Sequence, residues 1–151
     1  RWDWNCPAKV PSPEAMQFAV DTISKEMPVI EIGNVNDKEK FVSGHPFKNT
    51  AHSFVNGELP IEIVLAIMDR SSIVISGPGF SHVASLCLGF KSLIIHGGYV
   101  GLDSFEDPRV DSSMVTGVYP DPFCKCGNRW HEECNLYIPN KVIKEKIDEI
   151  I

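Results

Sequence analysis

Apolar and polar residues alternate along this chain with two periods, one suited to helices and one to strands. Met16, Ala19, Val20, Ile23 and Met27 recur at three- and four-residue spacing, the stripe of a helix that buries one face. Ahead of them, Ser12-Pro13-Glu14 supplies a capping hydroxyl, a proline at the first helical position and an acid in the first turn. Pro28 ends the stripe, and Val29-Ile30-Glu31-Ile32 before Gly33 predicts a strand running into a turn. Residues 34–50 are polar and read as a long loop, and residues 52–55 as a brief strand. Pro60 opens a second helix over residues 61–70, with Ile63, Val64, Ile67 and Met68 set to lie against a sheet.

The next stretch is the most regular. Ile73-Val74-Ile75 and Leu93-Ile94-Ile95 flank a glycine turn and a short apolar helix, a compact βαβ unit. Helical spacing puts Val83, Leu86, Cys87 and Phe90 on the face expected to pack under the sheet. Asp103, Asp107 and Pro108 mark a surface loop, and residues 114–118 read as a last strand. Pro139 then starts a C-terminal helix whose Ile143, Ile147, Ile150 and Ile151 are expected to dock on the core. Strands alternating with helices predict an α/β fold, a Rossmann-like parallel sheet with helices on both faces. One such domain is expected over residues 1–151, with a cysteine-bearing loop over 121–135 before the final helix.

Size and charge narrow this picture. The 151 residues suffice for a single core, and 14 Lys and Arg against 20 Asp and Glu leave a net charge of −6. An acidic chain has no electrostatic hold on a phosphate backbone, so nucleic acid is excluded as the main partner. No apolar run approaches the length of a membrane span, and the first residues lack the apolar core of a signal peptide, so a cytoplasmic location is expected. The chain opens on Arg1 and not on methionine, which suggests a fragment or a processed piece.

The chemistry begins at Gly77-Pro78-Gly79-Phe80-Ser81-His82, after a strand and at the start of a helix. Open α/β sheets bind ligands at the carboxyl ends of their strands, and a helix N-terminus there offers backbone N–H groups to an anion. Glycines let a ligand approach the backbone, although a tight turn for close helix–strand packing needs them equally. The pattern is neither GxGxxG nor a Walker loop, because no lysine follows the glycines. A nucleophile elbow is also missing, since Gly79-Phe80-Ser81-His82-Val83 lacks the second glycine.

Taken with its surroundings, the run resembles the donor-binding half of family 9 glycosyltransferases, the heptosyltransferase-like GT-B enzymes. The ordered features are Gly57-Glu58-Leu59-Pro60 before a helix, the strand at Ile73-Val74-Ile75, and Gly79-Phe80-Ser81-His82-Val83-Ala84. Leu88-Gly89 and Ile94-Ile95-His96-Gly97-Gly98 follow, and Arg1-Trp2-Asp3-Trp4 is similar to the tryptophan-bearing segment before that domain. The resemblance implies one half of a GT-B fold that binds a nucleotide sugar through its diphosphate. It implies donor-binding roles for Gly79, Phe80, Ser81 and His82, with Gly97 and Gly98 beside them. Where the family carries Asp-Ser, this chain has Gly77-Pro78, so the residue that recognises the sugar is replaced. The acceptor-binding domain, which supplies the general base, has no counterpart here. The implied whole is therefore a two-domain enzyme that transfers the sugar to a hydroxyl of a glycan or protein acceptor, with no catalytic base assigned to these residues. In such a reaction amides and a histidine offset charge on the leaving diphosphate, and a carboxylate deprotonates the acceptor. The rival expectation is a non-catalytic, metal-stapled interaction or nucleotide-binding module.

Three of the five cysteines crowd one segment, and Cys124, Cys126, His131 and Cys134 make up a four-ligand N/S set fit for a structural zinc or iron. Cys-x-Cys is tighter than the usual Cys-x2-Cys spacing, and local thiols or a disulfide account for the same residues. Cys6 and Cys87 read as packing residues. Glu31 and Asp37 flank a strand end within reach of a ribose or base, though solvated acids are the commoner outcome. His45 and His52 read as solvent-facing, and Asp103, Glu106, Asp107 and Asp111 lack calcium-loop spacing.

Overall fold

The computed structural model describes residues 11–33, 46–98, 101–104, 107, 109, 111–124 and 134–151. Helix α1 spans Pro13–Ile23, strand β1 Ile30–Ile32, strand β2 His52–Phe54 and helix α2 Ile61–Arg70. Strand β3 (Val74–Ser76), helix α3 (Phe80–Leu88) and strand β4 (Ser92–Ile95) form the βαβ unit, followed by strand β5 (Val115–Val118) and helix α4 (Asn140–Ile150). The strands lie in two small parallel sheets, β1-β2 and β3-β4-β5, rather than the single sheet expected. The architecture is α/β and compatible with a Rossmann-like half-fold.

β4 is the central strand, pairing with β3 on one side and β5 on the other, and all four of its residues are buried. Its alternating side chains serve two layers. Leu93 and Ile95 join Ala15, Ala19 and Ile23 of α1, Val118 of β5, and Ile143 and Ile147 of α4 in the main core. On the opposite face Ser92 meets Ser85 of α3, while Met68 of α2, Ala84 of α3 and Phe90 form a smaller cluster with Val74. Helices therefore cover both faces of the three-stranded sheet, as the alternation of elements requires.

The ends of α1 follow its sequence signals. Ser12 Oγ accepts from Ala15 N at 3.0 Å, Pro13 occupies the first turn, and the helix proper stops at Ile23, short of Met27. At the other end of the chain, Lys91 Nζ donates to the carbonyl of Ile150 at 2.9 Å and satisfies the end of α4. Ile150 is partly buried against the main core but Ile151 is 56% exposed, so only part of the expected isoleucine stripe docks. Ile63 of α2 likewise faces solvent, leaving Met68 as the buried anchor of that helix.

The largest departure is in α3. The face expected to pack contained Val83, Leu86, Cys87 and Phe90, yet Val83 and Cys87 are exposed and the buried residues are His82, Ala84 and Ser85. Gly89, left-handed at φ 75°, stops the helix at Leu88, so Phe90 reaches the cluster under α2 from beyond the helix end. The polar side chains turn inward because Ser85 Oγ donates to the Phe90 carbonyl at 2.5 Å and accepts from Ser92 Oγ at 2.9 Å. Cys87 is thus a surface thiol and not a packing residue.

Among the described residues no helix is long and apolar enough to cross a membrane.

Candidate functional site

Because β3, β4 and β5 run parallel, their carboxyl ends share one edge. The residues that leave this edge are Gly77 after β3, His96 after β4 and Tyr119 after β5. The sheet thus brings the glycine loop and the His96-Gly97-Gly98 segment to the same rim.

The two glycines of the loop differ. A β-carbon on Gly77 would stand 3.0 Å from Pro11 Cδ, so this glycine is where the chain before α1 packs onto the loop. Gly79 adopts φ 157° and ψ −136°, and a β-carbon there would meet nothing within 4 Å. Its conformation favours glycine, and among the described residues the space beside it is open. Gly79 is also the N-cap of α3 and has no side chain to cap that end, in contrast to Ser12 at α1. The first-turn N–H groups of α3, with the positive end of its dipole, thus begin beside an open face.

The side chains expected to bind a donor are spread over this geometry. Phe80 is 54% exposed, so its ring stands out from the start of α3. Ser81 is partly buried. His82 is 1% exposed, its imidazole sealed on the inner face of the helix, which leaves the backbone amide as the group it offers at this end. Gly97 and Gly98 are both buried.

Gly98 is covered by the cysteine segment. A β-carbon at Gly98 would lie 2.8 Å from both Cβ and Sγ of Cys134 and 3.5 Å from Cys124 Cβ. Only glycine admits this approach, which packs both cysteines on the end of the central strand. Neither is in a disulfide; Cys124 is exposed and Cys134 half-buried. Of the four expected metal ligands these two are described, while Cys126 and His131 lie outside the described residues, as do Cys6, Asp37, His45 and Glu106. Among the described residues no group of three or more His, Cys, Asp or Glu is disposed to hold a metal ion.

The rim also holds a pair with no signal in local periodicity. His96, fully buried, stacks on Tyr119 with ring centroids 4.6 Å apart and planes 16° from parallel. Tyr119 Oη accepts from Leu102 N at 3.1 Å, and its ring meets Phe123 at 4.9 Å, so the stack braces the loop after β4 and leads into the cysteine segment. Each residue follows directly on a strand, and parallel register is what brings them together.

Elsewhere, Glu31 is not a solvated acid. It is 6% exposed, accepts from Phe47 N at 3.1 Å and 3.2 Å, and accepts from Ser53 Oγ at 2.6 Å. His52 is exposed, as expected. In the acidic loop Asp107 pairs with Arg109, whose guanidinium holds the Asp107 carboxyl below its usual range. Asp111 is lowered in the same direction by the backbone N–H of Ser113. A cavity of about 700 Å³ opens between the end of α1 and residues 49–51, lined by Asp21, Lys25, Met27 and Asn49 among others, none from the glycine loop. No protein-family model, curated protein or solved structure matches the chain.

Proposed function

We propose that this chain is the nucleotide-sugar-binding domain of a glycosyltransferase, seating the donor's diphosphate at the N-terminus of α3. The observation that carries the reading is Gly79: a glycine face at the carboxyl end of β3, open among the described residues, at the N-cap of α3 where the capping residue has no side chain. Backbone N–H groups of Phe80, Ser81 and His82 would bind phosphate oxygens, where the helix dipole favours negative charge. The Ser81 hydroxyl adds a further donor at that turn, and the exposed Phe80 ring offers a surface for the nucleoside. Gly98 would shape the rim from beneath, because Cys134 and Cys124 cover it, and the buried Gly97 stands beside it. Amides held in place in this way stabilise charge that develops on a leaving diphosphate, which is the part of glycosyl transfer this domain would contribute.

Calorimetry with a panel of nucleoside diphosphates tests this. At least one is expected to bind at or below millimolar concentration, and Ser81→Ala is expected to weaken it up to about tenfold, the worth of one hydrogen bond. Gly79→Val, which places a branched side chain over the amides, is expected to abolish binding. A panel without a binder, or full affinity in Gly79→Val, would overturn the reading.

A non-catalytic interaction module is the second reading, and the outer face of α3 favours it. Phe80, Val83 and Leu88 are each about half exposed or nearly so, at 54%, 46% and 50%. An apolar stripe turned to solvent while serine and histidine point inward is the pattern of a helix that meets a partner.

A further inference from the structure

We propose that Cys124 and Cys134 form a redox-responsive thiol pair, convertible to an intramolecular disulfide by a low-molecular-weight disulfide such as oxidised glutathione. Two independent observations bring them together. The first is Gly98, whose missing side chain leaves one point within 3.5 Å of the β-carbons of both residues. The two β-carbons are therefore no further apart than the two distances added, a span that includes the spacing of about 3.8 Å found in disulfides.

The second is a pair of hydrogen-bonded stems on either side of the cysteines. Asp121 N donates to the Tyr137 carbonyl at 3.3 Å, and Asn135 Nδ2 donates to the Asp121 carbonyl at 2.8 Å. Tyr137 N in turn donates to Asn135 Oδ1 at 3.0 Å, which fixes the turn after Cys134. On the other stem Phe123 rests on Tyr119, next to Cys124. Chain segments ten positions apart are thus held side by side before any sulfur chemistry occurs. Pre-organisation of this kind lets the second thiol displace a mixed disulfide before solvent thiols do.

Access and stoichiometry agree with the assignment. Cys124 is exposed and Cys134 half-buried, so a small oxidant reaches the first and the second resolves it. The Cys124 thiolate attacks one sulfur of glutathione disulfide, forming a mixed disulfide and releasing one glutathione. The Cys134 thiolate then displaces the second glutathione. Both cysteine protons leave, one protein disulfide forms, and one glutathione disulfide is reduced to two thiols. Two thiols complete this reaction, with no further protein group consumed. The bond would fix the cysteine segment over Gly98, at the rim that Gly79 shares, and the inference stands without any claim about what binds there.

The test equilibrates the full chain in glutathione buffers of increasing oxidation, traps thiols by alkylation, and maps the peptides by mass spectrometry. A peptide linked Cys124 to Cys134 is expected, reversible by excess reduced glutathione. It should form at a poise about tenfold more reducing than that at which the exposed Cys87 takes up glutathione. In Cys134→Ser, Cys124 is expected to accumulate as the mixed disulfide, while wild-type mapping decides the matter should that variant not fold. Separate mixed disulfides on both residues, or links to Cys126 or Cys6 instead, overturn the proposal. So does a stoichiometric metal ion that co-purifies and shields both thiols until a chelator is added.

Discussion

Ser92 Oγ of the central strand donates to Ser85 Oγ of α3 across 2.9 Å, with both side chains sealed from solvent. Ser85 hands the hydrogen bond on to the Phe90 carbonyl at 2.5 Å, just past the helix end. This short polar chain orients the helix. Ser85→Ala leaves the Ser92 hydroxyl and the Phe90 carbonyl without that partner in a dry site, and is expected to lower unfolding stability by about 1–3 kcal/mol in urea titration. Ser92→Ala, which removes only a donor to Ser85, should cost less. The double variant should cost less than the two single losses added, because both act on one chain of bonds; strict additivity would show that the serines are not coupled.

The same rotation puts Phe80, Val83 and Leu88 outside. Replacing Phe80 and Leu88 together by serine removes exposed apolar surface and no core contact. Unfolding stability from urea titration is therefore expected to change by no more than about 0.5 kcal/mol, while self-association measured by light scattering falls. A loss of several kcal/mol would mean that the face is covered within the chain itself.

The α/β alternation, the helix starts at Ser12 and Pro139, and the βαβ unit around Gly79 were all legible in the sequence, since each rests on local spacing and capping chemistry. The face of α3 was not. Periodicity ranks side chains by polarity, and here two serine hydroxyls satisfy each other, so polar residues fill the interior position at little cost. Glu31 escaped for a similar reason: its partners, Phe47 and Ser53, are 16 and 22 positions away. The apposition of Cys124 with Cys134 depends on the side-chain space absent at Gly98, a residue that in sequence looked like part of the ligand loop. Contacts of this kind are long-range and leave no periodic trace.

Gly98→Ala tests that apposition directly. The new methyl carbon would stand 2.8 Å from two atoms of Cys134, so the cysteine segment must shift outward. Overpacking of this kind is expected to cost about 1–3 kcal/mol. Alkylation of Cys134 should accelerate while that of the distant, already exposed Cys87 stays unchanged. Equal acceleration at both thiols would indicate general loosening instead.

The Asp107–Arg109 pair carries a pH signature. Arg109 hydrogen-bonds and stabilises the ionised carboxylate, so the folded-state value of Asp107 lies below that of the unfolded chain. Any stability it lends is complete above the unfolded value and lost as pH falls through the folded one. With both groups exposed, the effect belongs in the titration of Asp107 itself, followed by carboxyl-carbon NMR. Arg109→Ala should raise that midpoint toward the ordinary aspartate range, and an unmoved midpoint would rule out the pairing in solution.

Glu31 makes the strongest claim on the smaller sheet. It stands opposite Ser53 in the β1–β2 register, and its carboxylate takes the Ser53 hydroxyl at 2.6 Å together with the Phe47 amide. One buried acid thus joins β1, β2 and the turn ahead of β2. Glu31→Gln keeps the size but turns one acceptor into a donor that faces the Phe47 N–H or the Ser53 hydroxyl. A loss of about 1–3 kcal/mol is expected, larger than for Ser53→Ala, which leaves the Phe47 bond in place. Hydrogen exchange at the Phe47 amide should quicken in Glu31→Gln while amides of β4 keep their protection, since the main core lies in the other sheet. Unchanged exchange at Phe47 would mean that the carboxylate does not hold that turn.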